Sequence, residues 1–502
     1  MSEKKLKGWQ GWALFGGCMA VVFLLGLLGS ALMERRAEVA SIFNNRQNPM
    51  TDSIVARNDS FAVDFPREFE TWAMTADTTF KSEFNSSEAV DVLEQRPNMV
   101  ILWAGYAFSW DYTTPRGHMH AIEDMTRTLR TGAPDKVDDG SNQPGTCWTC
   151  KSPDVPRIMQ EKGVGEYYKA NWAKWGNEIV NPIGCADCHD ARTMALHISR
   201  PALREAFARM GKDIDKATHQ EMRTLVCAQC HVEYYFKDDP NTPEKDQYLT
   251  FPWDKGLSVE DIEAYYDETQ YADYVHALSK APILKAQHPG YETTRMGIHG
   301  QRGVSCADCH MPYTADGGVK YSDHQVQSPL AKMDRTCLTC HRESEETLRQ
   351  NVYERQRKVN EIRTLVEDEL AKAHIEAKFA WDKGANEAEM KPVLSAIRKS
   401  QWRWDFAVAS HGAAFHAPQE ITRILSNALY WAQQSRLLTT KVLAKHGFNG
   451  DVPMPDISTK AKAQQYIGLD MADKEAKKAV FMKDIQPKWV QDALKKGKMK
   501  SI

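Results

Sequence analysis

The sequence predicts a mainly α chain with few strands, in which short helices and loops surround a recurring cysteine motif and long helices follow. Three observations predict it. Ten of the eleven cysteines fall into five Cys-x-x-Cys pairs between positions 147 and 340. The chain between the pairs is broken by Gly- and Pro-containing loops, and alternating strand patterns are few. After His341, apolar residues recur at helical spacing over long stretches.

The pairs define the chemistry. They read Cys147-Trp-Thr-Cys150-Lys151, Cys185-Ala-Asp-Cys188-His189, Cys227-Ala-Gln-Cys230-His231, Cys306-Ala-Asp-Cys309-His310 and Cys337-Leu-Thr-Cys340-His341. Cys-x-x-Cys-His is the c-type haem attachment signature: two thiols form thioethers and the adjacent imidazole becomes an axial ligand to iron. Zinc sites combine pairs, and five pairs cannot be divided into four-cysteine sites without a remainder. Disulfide or thioredoxin-like chemistry explains Cys-x-x-Cys but not the recurring fifth residue. Five covalently bound haem c groups therefore fill the core of the predicted fold, a multihaem cytochrome c. The five motifs are not an internal repeat, since their separations differ.

One motif ends in Lys151 instead of His. Read blandly, it is a decayed motif that leaves a haem-free dithiol. Read functionally, it is an unusual proximal ligand. An amine binds iron only as the free base, so coordination displaces a proton from a group whose ordinary pKa is about 10.4. Haems closed by two histidines carry electrons, whereas an open iron face binds substrate. The Lys151 haem is the candidate for the open one.

The N-terminus is basic at Lys4, Lys5 and Lys7, and an apolar run extends from about Trp12 to Met33. At about 1.5 Å per residue such a run spans the roughly 30 Å of a bilayer core. The alternative is a cleaved signal, with Gly29-Ser30-Ala31 as a weak cleavage candidate. Cys18, inside the run, is a poor lipidation site and reads as a membrane-facing cysteine. Either way the chain is exported, to a periplasmic location, soluble or tethered. The formal net charge of −3 points to no nucleic-acid partner.

The expected organisation is a signal or anchor over residues 1–36, a pentahaem catalytic region over 37–342, a long-helix region over 343–446 and a C-terminal tail over 447–502. Residues 37–100 are mixed, with polar clusters such as Asn44-Asn45-Arg46-Gln47-Asn48-Pro49 that suggest a linker before the folded body. Leu348, Val352, Val359, Ile362, Val366 and Leu370 predict one amphipathic helix over 343–375, ending before Gly384, and further helical patterns cover 386–414 and 418–446. A long charged helix of this kind is a solvated face or a subunit interface. Residues 449–502 are lysine-rich with few strong patterns and read as a surface wrap.

Beyond the attachment motifs, three runs are specific: Leu129-Arg130-Thr131-Gly132, Cys230-His231-Val232-Glu233-Tyr234-Tyr235-Phe236, and Lys285-Ala286-Gln287-His288-Pro289. In this order, with Cys147-Trp-Thr-Cys150-Lys151, the chain over about residues 98–418 closely resembles the pentahaem cytochrome c nitrite reductases, which form ammonium. The resemblance implies that the Lys151 haem is the active site and that Arg130, Tyr234 and His288 stand on its substrate side. There a cation can stabilise bound nitrite, while a phenol and an imidazole deliver protons. Without the resemblance, Arg130 reads as a propionate partner, Tyr234 as a packed aromatic and His288 as a distal ligand.

The resemblance also implies a calcium site from Glu233, the carbonyls of Tyr234 and Lys285, and the Gln287 side chain, an oxygen set that suits a hard cation. It selects His118 as distal ligand for the Cys227/Cys230 haem, His324 for Cys185/Cys188, His416 for Cys306/Cys309 and His299 for Cys337/Cys340. His120 and His411 lie close to two of these. It further implies a homodimer, and electrons from a membrane quinol-oxidising multihaem cytochrome or another periplasmic donor. The 133–146 segment differs a little in length from common members. Two other readings compete: an electron-transfer cytochrome with every iron closed, and a related reductase preferring hydroxylamine or sulfite.

Overall fold

The computed structural model describes residues 8–44, 48–134, 143–238 and 246–500. Lys4, Lys5 and Lys7, Asn45, Arg46 and Gln47 of the polar cluster, and residues 135–142 ahead of the first motif lie outside them. A helix runs from Gly8 to Asn44, and its Gly8–Arg36 portion is long and apolar enough to cross a membrane, with none of that stretch buried in the protein. Among the described residues, the body that follows is built from short helices, 3-10 turns and three two-stranded antiparallel hairpins.

Residues 48–100 do not behave as a linker. Asn58 and Phe61 are buried, and Met99, Val100, Ile101 and Leu102 lie on a helix, Asn98–Leu102, deep in the main core. Asn58 accepts a hydrogen bond from the backbone of Cys185 (3.1 Å) and donates to the carbonyl of Pro182 (2.9 Å), so it fixes the second motif. Its polarity, which reads as solvation in the sequence, is satisfied by partners far along the chain.

Three long helices form the C-terminal scaffold. The first, Glu345–Asp382, is capped by Ser344, whose side chain accepts from the Thr347 N–H. Val352, Gln356, Val359, Val366, Leu370, Ala373, Ala377 and Ala380 make its buried stripe, at spacings of three, four and seven. It stops where Gly384 takes φ +91°, a left-handed conformation open to glycine. The second helix, Glu387–Ala409, begins with an Asn386/Glu389 capping box, and the third, Pro418–Lys445, with proline at its first turn.

Buried ion pairs and indoles tie this scaffold to the motif region. Glu367 pairs with Arg96 and accepts from the Trp404 indole (3.1 Å). Arg403 meets Glu263 (2.9 Å). Asp405 takes the Lys285 ammonium (2.9 Å) and the Trp103 indole N–H (3.2 Å). Breaking one partner of such a pair leaves an uncompensated buried charge. The core between the layers is strongly aromatic, with Trp103, Trp148, Trp172, Trp253, Trp402 and Trp404 all fully buried.

The lysine-rich C-terminus is three further helices, Lys460–Tyr466, Met471–Val480 and Gln486–Lys495. Trp489 and Phe481 pack on Trp172, which stacks on Trp148 inside the first motif (centroids 5.0 Å, rings 9° apart). Gly176 makes this possible, because a Cβ there would run into the Trp489 ring. Gly176→Ala is therefore expected to cost about 1–3 kcal/mol as an overpacked contact and to release the C-terminal helices to protease first. Thermal unfolding with limited proteolysis checks this; an unchanged digestion pattern would contradict it.

Candidate functional site

Cysteines three apart share a face when a helical turn joins them. The second and fourth motifs lie on the turns Cys185–Cys188 and Cys306–His310; the Asp187 carboxylate accepts from the Gly184 N–H (2.9 Å) at the start of the former, and Ser305 and Asp308 form a reciprocal cap on the latter. The first begins inside the 3-10 turn Gly145–Trp148.

Opposite each of the four motif imidazoles stands a second one. Ring centroids are 6.5 Å apart for His118 and His231, 6.3 Å for His324 and His189, 6.2 Å for His416 and His310, and 6.3 Å for His299 and His341. Two iron–nitrogen bonds of about 2 Å, plus about 1.1 Å from each nitrogen to its ring centre, come to about 6.2 Å. The residues present fit an iron between each pair.

Several of these rings are oriented through the other nitrogen. Nδ1 of His189 is 2.8 Å from the Met194 carbonyl, that of His310 is 2.9 Å from Gln327, and that of His324 is 2.7 Å from Ser322. Bonding Nδ1–H to a carbonyl leaves Nε2 as the lone-pair donor. Burial lowers His189 to about 4, His416 to about 4 and His231 to about 3, so each is neutral, the form that binds metal. His120 is engaged elsewhere, with Nε2 3.1 Å from the Ala76 carbonyl and Nδ1 3.4 Å from Glu123. His411 faces His288, with centroids 6.4 Å apart.

Around the first motif a different set gathers. Arg130 sits in a 3-10 turn, Leu129–Thr131, capped by Thr128. Asp111 holds that turn by accepting from the Thr128 hydroxyl (2.9 Å) and the Leu129 N–H (3.1 Å). The guanidinium lies 4.2 Å over the Phe108 ring and within electrostatic reach of Cys147. Tyr234 is within reach of both Cys150 and Cys147, and His288 of Lys151. Burial raises the Tyr234 hydroxyl well above its ordinary value, so it keeps its proton. Burial, then the charges of Lys151 and His411, hold His288 well below the ordinary range.

Glu233, Lys285 and Gln287 come together behind Tyr234. The Glu233 carboxylate accepts from the Gln287 N–H (2.6 Å) and the Tyr266 hydroxyl (3.0 Å), and the Gln287 amide donates to the Lys285 carbonyl (3.1 Å). Burial, with Asp273 and Glu292 nearby, pushes Glu233 well above the carboxylate range. Among the described residues no three His, Cys, Asp or Glu side chains cluster as a ready metal site. What the pocket offers is one carboxylate among carbonyl and amide oxygens, a donor set for a hard cation.

Sequence reading missed Asp273 and Glu292, which look like ordinary surface acids. Asp273 accepts from the Lys285 N–H (2.7 Å), and Glu292 from the Glu233 N–H (2.9 Å) and the Trp253 indole (2.8 Å). It also missed how the motifs adjoin. Cys150 lies close enough to Cys230, and Cys227 to Cys306, for each thiol to shift the other's ionisation. Cys188 lies in electrostatic range of Cys227, and Cys337 of Cys309. The Lys151 motif thus adjoins the third, which adjoins the second and fourth, and the fourth adjoins the fifth.

The family model for cytochrome c552 matches residues 57–498. The chain belongs to the cytochrome c552 family. Similar curated proteins, each named cytochrome c-552, are that of Bacteroides thetaiotaomicron, 69% identical over 497 residues (99% of both chains), and that of Bacteroides fragilis, 68% identical over 501 residues (100% of both). A solved cytochrome c nitrite reductase catalytic subunit from Desulfovibrio desulfuricans, described with two calcium sites, superposes with a TM-score of 0.73 at 30% identity, covering 83% of this chain and 89% of that one. As a cytochrome c552 family member this chain carries haem c, and its five attachment motifs set the number.

In this cytochrome a Cβ on Gly297 would run into the His416 carbonyl oxygen. Gly297→Ala is expected to move His416 away from His310 and convert one low-spin haem to high spin, read by electron paramagnetic resonance. An unchanged low-spin count would contradict the pairing.

Proposed function

We infer that this chain reduces nitrite to ammonium outside the cytoplasm, and we propose that it does so at the haem on Cys147 and Cys150, with Lys151 as the iron's proximal ligand. One observation carries the reading: each His-terminated motif faces a second imidazole at 6.2–6.5 Å, while Arg130, Tyr234 and His288 gather at the Lys-terminated one. When bound, the haems supply stored electrons and one open coordination position for nitrite.

The side chains supply the rest. Reduction of nitrite to ammonium consumes six electrons and eight protons and releases two waters, so proton delivery matters as much as charge stabilisation. Arg130, held over Phe108, offers a permanent cation to the bound anion. Tyr234 keeps its proton at neutral pH and can donate it to the oxygen of an N–O bond being broken. His288, held neutral by burial within electrostatic reach of Lys151, can hydrogen-bond the substrate and relay a proton to it.

Calcium belongs at Glu233, the Tyr234 and Lys285 carbonyls and Gln287. Its charge offsets that of the buried Glu233, Asp273 and Glu292 carboxylates, and it fixes the loops that carry Tyr234 and His288. The apolar N-terminal helix serves as signal or anchor. The exposed Leu365, Tyr430 and Leu437 on the long helices support a homodimer through that face. Electrons come from a membrane quinol-oxidising multihaem cytochrome or another periplasmic donor.

The purified holoprotein with a viologen donor is expected to form ammonium from nitrite, and Lys151→Ala to lose about 100-fold or more in kcat. The oxidised protein should show one ligand-exchangeable haem; five inert low-spin haems, or no ammonium, would remove the reading. Calcium chelation should lower turnover and added calcium restore it, while Glu233→Gln raises the calcium needed. Activity indifferent to chelation would exclude the cation's role.

A further inference from the structure

Among the lysines of the C-terminal segment, Lys478 is buried, at 5% exposure. Its ammonium donates to the Thr131 hydroxyl (3.0 Å) and the Gly132 carbonyl (2.8 Å), and lies 4.8 Å from the Phe481 ring centre and 5.8 Å from that of Trp172. Asp111, which holds the start of the same turn, is the acid within electrostatic reach. Burying an ammonium in aromatic surroundings is costly, so the contacts it makes there are informative. Both acceptors belong to the two residues that follow Arg130. Gly132 takes φ +73°, a conformation that ends the Arg130 turn and disfavours any side chain.

The same segment grips the other support of Arg130. The Gln464 amide donates to the carbonyls of Ser109 and Trp110, each at 3.0 Å, and the Lys474 ammonium lies 3.7 Å over the Trp110 ring. Ser109 directly follows Phe108, the ring on which the guanidinium lies at 4.2 Å. The turn carrying Arg130 and the shelf beneath it are thus both held by one stretch of chain from more than three hundred residues away in sequence.

We propose that Lys478 is a positioning residue for nitrite binding: by holding Thr131 and Gly132 it sets the Arg130 guanidinium over Phe108 and toward the Lys151 haem. The C-terminal helices are then part of the substrate site. The inference rests on the reading of Arg130 given above. Lys478 acts through Arg130 and touches no reacting atom, so its effect should vanish where the guanidinium is gone.

The test is a double-mutant cycle on nitrite kinetics in the holoenzyme, with haem content and thermal unfolding recorded for each variant. Lys478→Met keeps the apolar stem and removes the donors. It should raise KM for nitrite about ten-fold while kcat stays within about two-fold, the pattern of lost binding. The Arg130→Ala/Lys478→Met enzyme should be no worse than Arg130→Ala alone. Lys478→Gln, which keeps a donor, should recover part of the KM, and it carries the same measurement if the Met variant fails to assemble. An unaltered KM in both Lys478 variants, or an undiminished penalty in the Arg130→Ala background, overturns the proposal while leaving the Arg130 reading intact. Arg130→Ala with unaltered nitrite kinetics removes that reading, and the proposal with it.

Discussion

A gap of a little over 6 Å between two imidazole rings, repeated four times, sets the terms for the rest of the molecule. One ring of each pair is delivered by its attachment motif; the other comes from elsewhere in the chain. His118 precedes its partner, His324 lies past two later motifs, and His416 sits between two long C-terminal helices. The backbone near His416 is correspondingly tight: a Cβ on Gly412 would strike its ring, as one on Gly297 would strike its carbonyl. The helical scaffold is therefore an integral part of the motif region.

The second constraint is charge in a desolvated interior. Lys285 satisfies Asp405 while its own backbone N–H bonds Asp273 and its carbonyl accepts from Gln287. One residue thus joins the helical scaffold to the cation pocket and to the strand end that leads to His288. Glu292 supports Glu233 from behind, through the Glu233 N–H. Asp273 and Glu292 both act on the buried Glu233, and the proposed calcium ion would compensate that charge.

Contacts between cysteines of different motifs give the third feature, an order in space that differs from the order in sequence. The first motif adjoins the third, and the second joins the row from the side. Imidazole pairs stand at the four His-terminated motifs, and under the proposed reading electron transfer and substrate chemistry then occupy different sites with different side chains around them.

Five attachment sites, the odd Lys151, the apolar N-terminal helix and the three long helices were legible in the sequence, because each is local: a spacing, a periodicity or a cap. Motif order and the runs around Arg130, Glu233 and Gln287 were enough to recognise the family. Whether His118 or His120 meets His231, and whether His416 or His411 meets His310, is not a local property. It is decided by which ring ends opposite a motif, and the structure turns His120 to Ala76 and Glu123, and His411 to His288. Asn58, Asp273, Glu292 and Lys478 look like surface residues in sequence, since a polar side chain is read as solvated until its buried partner is known. Only the tertiary structure supplies those partners, because burial and hydrogen bonding join residues hundreds of positions apart.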